Sequence, residues 1–549
     1  MEPEKAHYWR WILAAALPAC SFQLVWFSLR CIRQIDIDGI DYVGIAHHVR
    51  DGQFFASING FRSPLISWLV AGVSLFVRNL LFAGKAISIA SFLCCLILLY
   101  LFTQKLWRSK LVSSFAVLWF VLARGTCVLA VQMVTADFLL TAFTLLYFLA
   151  LLHCFQRNTT VSWILLGLVH GAAFLAKAFA LPWLAVADIC AVVAVPTRNF
   201  KIRMAHLSLA FLFPVLIAGS WAAVLHAKYG FYVTGTQFKT NYLQSTVRAF
   251  DHTHEGSYAF LRDTSSEIDK YMVNDPMPPN SWAWRYPISP QRALRPALMA
   301  ELHNIPRALK EITILLTPGG ILAFILGLIA LGAQRTKYHR EFRMGILIAL
   351  SAIALVLGYC MLVFDGRYAL PIVAVLIAFS SRFFFSFPEL PLAQRGRHIA
   401  LALFVAGIIF STVYWASPFL TRRRDYQVVC YEAGESLRSH GTGELVSLGT
   451  GPFPEYGVGW EAAYKSSYFG GWRLIAASET LPGKDQDAML VNDLKQAAAN
   501  AIAVWGKPSE DAYRNTVHLI SNNEEVESIQ TIRDPVNGEA ATIIFLRAQ

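Results

Sequence analysis

Residues 133–155 read MVTADFLLTAFTLLYFLALLHCF. From Phe138 to Phe155 there is no Asp, Glu, Lys or Arg, and a helix needs about 20 mainly apolar residues to cross the roughly 30 Å hydrocarbon core of a bilayer. The stretch therefore reads as a transmembrane helix. Its one acid, Asp137, stands just before the apolar run, in the first turn. A carboxylate there is either an N-terminal helix stabiliser, worth about 0.5–2 kcal/mol, or a functional group held at the membrane surface. The residue pattern leaves both open.

The same pattern recurs along the chain. Apolar runs at 11–30, 84–103, 111–130, 161–178, 180–196, 204–226, 311–333, 344–363, 368–386 and 398–417 join 138–155 to predict about eleven helices. The composition agrees: 56% of residues are hydrophobic and 15% charged, against roughly 45–50% and about 25% in soluble domains. This excludes disordered, collagen-like and ordinary soluble chains. Nine cysteines are too few for a disulfide framework, and their spacing suggests no metal site. The formal charge of +11 suits basic loops beside anionic lipid, and no nucleic-acid motif competes with that reading. The first run is long and aromatic, with no small-residue cleavage site after Leu29, so it is expected to be a retained helix.

Lysine and arginine sort the short loops. Lys105, Arg108 and Lys110, then Arg157, Lys201 and Arg203, Arg335, Arg340 and Arg343, and Arg395 and Arg397 fall on one side together with the N-terminus. That side is expected to be cytoplasmic, as in the inner membrane of a bacterium. The loops 31–83 and 227–310 and the tail 418–549 are then outside. Arg422, Arg423 and Arg424 break the bias, at the start of a long translocated segment where the rule weakens. Residues 64–82 are apolar but carry Arg78 and Asn79, and are expected as a helix at the outer interface. Residues 1–417 form the expected membrane module. Residues 418–549 form a small α/β unit, with strands at ELVSLGTG, AIAVWG and ATIIFLR and a helix at DAMLVNDLKQAAA.

Ionisable residues near hydrocarbon are expensive and usually functional. The first outer loop holds Asp36, then DGIDYVGIAHHVRDGQFFASINGFRSPLISWL from 38 to 69, with Asp38, Asp41, Arg50 and Arg62. Singly these are unremarked loop charges. Lys177 lies in GAAFLAKAFALPWL and reads as a snorkelling or a functional lysine. Arg367 and Tyr368 lie in FDGRYALPI, as interfacial anchors or site residues. The topology brings Asp38, Asp137, Lys177 and Arg367 to the outer face from four distant regions. The bases could hold a lipid phosphate through charge-assisted hydrogen bonds of about 1.5–3 kcal/mol each, and an acid could take a proton from an attacking hydroxyl.

At these residues the chain resembles the GT-C glycosyltransferases, in the branch of the protein O-mannosyltransferases and the lipid A aminoarabinose transferase. In the first loop Asp38, Tyr42, Ile45, Ala46, Gly52, Pro64 and Leu65 fit the family pattern. VTADFLL matches its second acidic motif at Asp137, GAAFLAKAFALP its lysine motif at Lys177, and GRYALPI its Arg-Tyr motif. The match covers about residues 10–390. Three departures stand out: Gly39 replaces a Glu, Phe61 and Arg62 replace Glu-Lys, and Ala178 replaces a Gly. The loss of the Glu puts a metal site in doubt and argues against aminoarabinose as the donor.

The resemblance implies an α-helical polytopic membrane enzyme that transfers a sugar from a polyprenyl phosphate to a lipid, glycan or protein acceptor, by inverting displacement. Asp38 would be the base. Lys177 and Arg367, with Arg62, would stabilise the phosphate leaving group, and Tyr368, Asp41 and Tyr42 would line the substrate site. Asp137 would orient the acceptor, Asp38 or a bound metal. A lipid-phosphate donor needs no nucleotide site, and no P-loop or dinucleotide fingerprint is present. The remaining readings are a lipid-linked glycan polymerase or ligase, a transporter, and a sensor. No repeat favours a transporter, and the charges gather at one face. A divalent metal stays open. FDHTHEG, with Asp251, His252, His254 and Glu255, and the pair His47 and His48 offer zinc-type ligands, although a solvated loop explains them as well.

Overall fold

The computed structural model describes residues 8–246, 262–263, 269–270, 273, 290–385, 391–420, 426–449 and 460–547, except for breaks at 124, 195–198, 336–337, 362–363, 479–480, 484–485, 524 and 534–539. The motif at 251–255 and Arg422, Arg423 and Arg424 lie outside the described residues.

The apolar runs are mainly helical over their described residues. In chain order the first elements are α1 (Tyr8–Cys31), α2 (Ile37–Arg50), α3 (Phe54–Ser57), α4 (Leu65–Ser74), α5 (Leu80–Trp107), α6 (Lys110–Leu122) and α7 (Thr126–Gln132). They are followed by α8 (Asp137–Arg157), α9 (Thr160–Ala176), α10 (Ala180–Ala194) and α11 (Phe200–Tyr229). Local signals set their ends. The Asn79 side chain accepts from the amides of Leu81 and Phe82 to start α5, and Thr159 and Ser162 form a capping box at α9. The left-handed Gly230, at φ +81°, ends α11, where a side chain would be strained. Later come helices Pro290–Ala333, broken at Thr317 before Pro318, then His339–Cys360, Leu370–Phe385 and Pro391–Leu420.

Among the described residues seven helices are long and apolar enough to cross a membrane, or eight if α6 and α7, which meet at 57°, form one span. The helices α9 and α10 are apolar but shorter, at 17 and 15 residues. The chain is thus a polytopic helical membrane protein; length and composition alone single out fewer helices among the described residues than the eleven expected from the apolar runs. Lipid-facing positions such as Phe22, Leu29, Ile97 and Val161 stay exposed, while Leu370–Phe385 is buried almost along its whole length. This central helix gives the bundle its axis, and Arg367 sits in the short 3₁₀ turn Gly366–Ala369 at its head. Residues 64–82 differ from the expected single interfacial helix. They form α4, an exposed turn at Leu75 and Phe76, and the first residues of α5.

The tail builds a mixed sheet. Its strands are β2 (Glu444–Leu448), β3 (Arg473–Ser478), β4 (Ala501–Gly506), β5 (Val526–Arg533) and β6 (Ala540–Leu546), preceded by β1 (Arg262–Asp263) from the long loop, in the order β1-β3-β2-β4-β6-β5. The β2 strand runs parallel to β3 and β4, with Val446 opposite Ala476 and Ile502, while β6 is antiparallel to both β4 and β5. Helices Tyr426–Ser439, Trp460–Gly470, Asp487–Ala497 and Asp511–Asn523 cover it. One hydrophobic cluster joins Ile35, Ile40, Val43, Ala46 and Val134 of the bundle to Val429, Leu437, Phe469 and Trp472 of the tail. The helix Trp460–Gly470 therefore packs against α2, and this contact shapes the site.

Candidate functional site

The site is built around α2. Asp36 caps this helix: its Oδ2 accepts from the Gly39 amide at 3.1 Å, and its Oδ1 accepts from the Val134 amide at 2.9 Å. One carboxylate thus fixes the start of α2 against the segment leading into α8. Close beneath, the buried Lys85 of α5 donates to the carbonyls of Cys31 at 2.6 Å and Val131 at 2.8 Å. It satisfies carbonyls at the ends of α1 and α7 that have no partner within their own helix. The packing also explains Gly39. A Cβ there would meet Asp36 Oδ1 at 2.7 Å and Val134 Cβ at 3.2 Å, so any side chain at this position would require the Asp36 cap to shift.

Arg62 enters from the loop after α3. Asn59 Oδ1 accepts from its amide and from that of Phe61, both at 2.8 Å, which turns the chain toward α2. The guanidinium Nε donates to Asp41 Oδ2 at 2.7 Å, and Nη2 reaches Asp41 Oδ2 at 2.6 Å and Asp38 Oδ1 at 2.7 Å. The other Asp41 oxygen accepts from the hydroxyl of Tyr464, at 2.7 Å, from the tail helix Trp460–Gly470. Asp41 and Tyr464 are fully buried. Tyr42 and Phe61 flank the guanidinium, with ring centroids 5.8 and 4.4 Å from its Cζ.

The second half comes from α8, α9 and the 3₁₀ turn. Asp137 is not the cap of α8: the cap position is Ala136, which makes no side-chain cap bond. Its Oδ1 instead accepts from Lys177 Nζ at 2.6 Å. Lys177 ends α9 in an extended conformation, and the amide of the next residue, Ala178, donates to Ser63 Oγ at 2.9 Å. The lysine ammonium also lies 4.0 Å from the ring centre of Tyr368, which stacks on Tyr359 at 4.5 Å. Arg367 Nη2 donates to Asp38 Oδ2 at 2.6 Å, while its Nη1 and Nε lie 3.8 Å from Asp36 and Asp137. Asp365, exposed at the rim, is 3.3 Å from Nε.

Both oxygens of Asp38 are therefore held by arginines from opposite sides. Its side chain is 25% exposed, against 13% for Arg367, 11% for Lys177, 6% for Arg62 and 0% for Asp41. Asp38 is thus more exposed than the arginines and the lysine that surround it. Burial opposes its charge, but Arg62, then Arg367 and Lys177, overcome that and hold its carboxyl well below the usual carboxylate range. Asp36 moves the other way, raised by burial and then by the charge of Asp38. Burial disfavours the charged form of Arg62, but Asp38 and Asp41 outweigh it and keep the guanidinium charged. Burial, and then Asp41, keep the Tyr464 phenol protonated.

The eight residues singled out by sequence thus lie in one network: Asp38, Asp41, Tyr42, Arg62, Asp137, Lys177, Arg367 and Tyr368. Asp36, Lys85 and Tyr464 join it unannounced. Asp36 was visible as a loop acid. Lys85 carries the signal of a lysine inside an apolar run. Tyr464 carries no signal in its neighbourhood, since only the fold brings it to α2. His47 and His48 do not join. His47 pairs with Asp51 at 3.2 Å, and His48 bridges Gln53 and Asp269. Among the described residues no group of three or more His, Cys, Asp or Glu is placed to hold a metal. The four central aspartates direct their oxygens to arginine, lysine, tyrosine and backbone amides, so this donor set does not fit one.

An apolar groove of about 880 Å³ runs alongside, lined by Phe54, Phe55, Trp68, Leu175, Leu216 and Trp221. It also includes Ser57 and Ile58, on the segment that leads to Arg62. Lys228 donates to the Ile58 carbonyl, and the Gly60 amide donates to the Tyr229 hydroxyl at 2.9 Å, so the end of α11 holds that segment in place.

This bundle with its sheet-bearing tail resembles solved structures over nearly the whole chain. ArnT from Cupriavidus metallidurans in the apo state matches at a TM-score of 0.51 and 12% identity, covering 98% of each chain. The chain shares the fold of this protein over nearly its whole length. The same ArnT bound to undecaprenyl phosphate also matches at 0.51 and 12%, covering 99% of each chain. The mycobacterial arabinofuranosyltransferase AftD aligns at a TM-score of 0.43 and 12% identity, over 98% of this chain and 40% of that one. No family model matches the chain, and neither does the sequence of any curated protein.

Proposed function

We propose that the protein is a membrane glycosyltransferase that moves a sugar from a polyprenyl-phosphate donor to a hydroxyl of a lipid, glycan or protein acceptor, with inversion. The observation that carries this is the clasp of Asp38 between Arg62 and Arg367, with Lys177 beside them, at the head of the central helix. The acceptor oxygen attacks the anomeric carbon as the bond from that carbon to the phosphate oxygen breaks. The hydroxyl proton passes to Asp38. The phosphodiester becomes a monoester and gains negative charge, which preorganised cations stabilise.

Clasped by two arginines, Asp38 is a weak base. A donor phosphate competes for the same guanidinium groups, and as they turn to it Asp38 loses its partners and its basicity rises. Donor binding then switches on the base. Asp137 keeps Lys177 in place and Asp41 keeps Arg62 in place, so these acids hold the phosphate ligands. Tyr42 and Tyr368 line the site. The apolar groove suits a polyprenyl chain, and ArnT bound to undecaprenyl phosphate supports that class of lipid.

In this reading the basic short loops and the N-terminus face the cytoplasm of a bacterial inner membrane. The module 1–417 carries the chemistry and the domain 418–549 lies outside. A protease added from outside should cut the tail and spare 334–343. For the activity, purified protein is given a synthetic polyprenyl-phosphate sugar, and donor binding and transfer are measured separately. Arg367→Ala should weaken donor binding by roughly 1.5–3 kcal/mol. Unchanged affinity in a folded Arg367→Ala protein would refute the phosphate role.

A further inference from the structure

We propose that the tail domain is part of the catalytic site, and that Tyr464 is the positioning residue through which it acts. The geometry is a chain of contacts: the Tyr464 hydroxyl donates to Asp41 Oδ1, Asp41 Oδ2 accepts from Arg62 Nε, and Arg62 Nη2 reaches Asp38. Asp41 and Tyr464 are fully buried and Arg62 is nearly so, so water does not substitute for these contacts. A carboxylate engaged at both oxygens has one orientation. With Asp41 fixed, the Arg62 fork is aimed at Asp38, where the donor phosphate is to be held.

The tail is committed to this geometry by more than one bond. Its helix Trp460–Gly470 packs on α2, and Tyr464 shares a hydrophobic cluster with Ile40, Tyr42 and Val43 of α2. Its sheet is extended by β1, which comes from the long loop and pairs with β3 through Arg262 and Asp263. A displacement of the tail therefore moves the support of Arg62. The domain outside the membrane sets whether the phosphate ligand is aimed, and coupling of donor binding to whatever engages the tail follows from that.

This rests on the reading of Arg62 as a phosphate ligand, and a double-mutant cycle in the full-length protein separates the two. Tyr464→Phe removes the hydroxyl alone. It should weaken binding of a synthetic polyprenyl-phosphate sugar about tenfold, or roughly 1.4 kcal/mol. In an Arg62→Ala background the same change should do nothing further. Asp41→Asn should reproduce the pattern, and it serves if Tyr464→Phe does not fold. If Arg62→Ala weakens the donor but Tyr464→Phe does not, the positioning role is wrong and the phosphate reading stands. If Arg62→Ala leaves donor affinity unchanged, the phosphate reading fails and takes this proposal with it. Equal weakening by Tyr464→Phe in both backgrounds marks general damage and overturns the proposal.

Discussion

Asp38→Asn separates the chemistry of the site from its binding. The amide keeps the size of the carboxylate but removes its charge and its basicity. Loss of a general base lowers turnover typically 10²–10⁴-fold. The structure adds an effect of opposite sign on the donor. Asp38 occupies Arg62 Nη2 at 2.7 Å and Arg367 Nη2 at 2.6 Å, so in the resting enzyme it competes with a phosphate for both. Each such bond to a charged group is worth about 1.5–3 kcal/mol. At 25% exposure Asp38 is partly screened by water, so relief of the competition is set near the lower bound of one bond, about 1.4 kcal/mol or tenfold tighter donor binding. The variant should therefore bind a polyprenyl-phosphate sugar more tightly and turn it over at least 100-fold more slowly. The assays are equilibrium binding of the labelled donor and single-turnover transfer by purified protein. Turnover within threefold of the parent would move the base elsewhere. Weaker donor binding would show that Asp38 holds the site together and does not compete with the phosphate.

Lys177→Ala should cost donor affinity roughly 1.5–3 kcal/mol and also stability, because the buried Asp137 loses a partner at 2.6 Å, and breaking such a pair costs about 3–5 kcal/mol. Adding Asp137→Asn should recover much of the thermal stability and none of the donor affinity; joint recovery would remove Lys177 from the phosphate. Arg367→Lys should regain only part of the binding lost in Arg367→Ala, since a lysine cannot present the planar fork, and full recovery in a titration would contradict that. Gly39→Ala should lower stability by about 1–3 kcal/mol, because the added Cβ would sit 2.7 Å from Asp36 Oδ1, and an unchanged unfolding midpoint would refute the packing account. For pH, Asp38 is depressed in the free enzyme by Arg62 and Arg367, whereas Asp36 is raised by burial and the charge of Asp38. In an Asp36→Asn background kcat/KM should hold as pH falls toward the ordinary carboxylate range, while kcat, which reports the donor-bound enzyme, should fall at higher pH. Coincident acid limbs would show that the donor does not free Asp38.

The bundle and its polar core were legible because bilayers impose simple rules. A run such as 138–155 has few alternatives to a membrane helix, and a charge such as Asp137 or Lys177 at its edge has few reasons to be there. Those rules act residue by residue along the chain, so the helices and charges such as Asp38, Asp137, Lys177 and Arg367 could be singled out from local pattern, while Tyr42 was named only through the resemblance. They do not set how many helices cross: α9 and α10 are apolar but short, and nothing in their sequence says how deep the bundle holds them. The tail obeys weaker rules. Strand AIAVWG is apolar throughout and was plain, but β5 alternates as a half-exposed edge and the helix Trp460–Gly470 mixes polar and apolar residues. Tyr464 lies in that helix, and its role depends on a contact 423 residues away. Asp38 shows the same limit from the other side. Sequence could nominate it as the base, but not that two arginines already hold both of its oxygens. In the function proposed above, an internal carboxylate and an external phosphate compete for the same guanidinium groups. Such competition depends on distances near 2.6 Å between segments more than 300 residues apart, which only the folded bundle supplies.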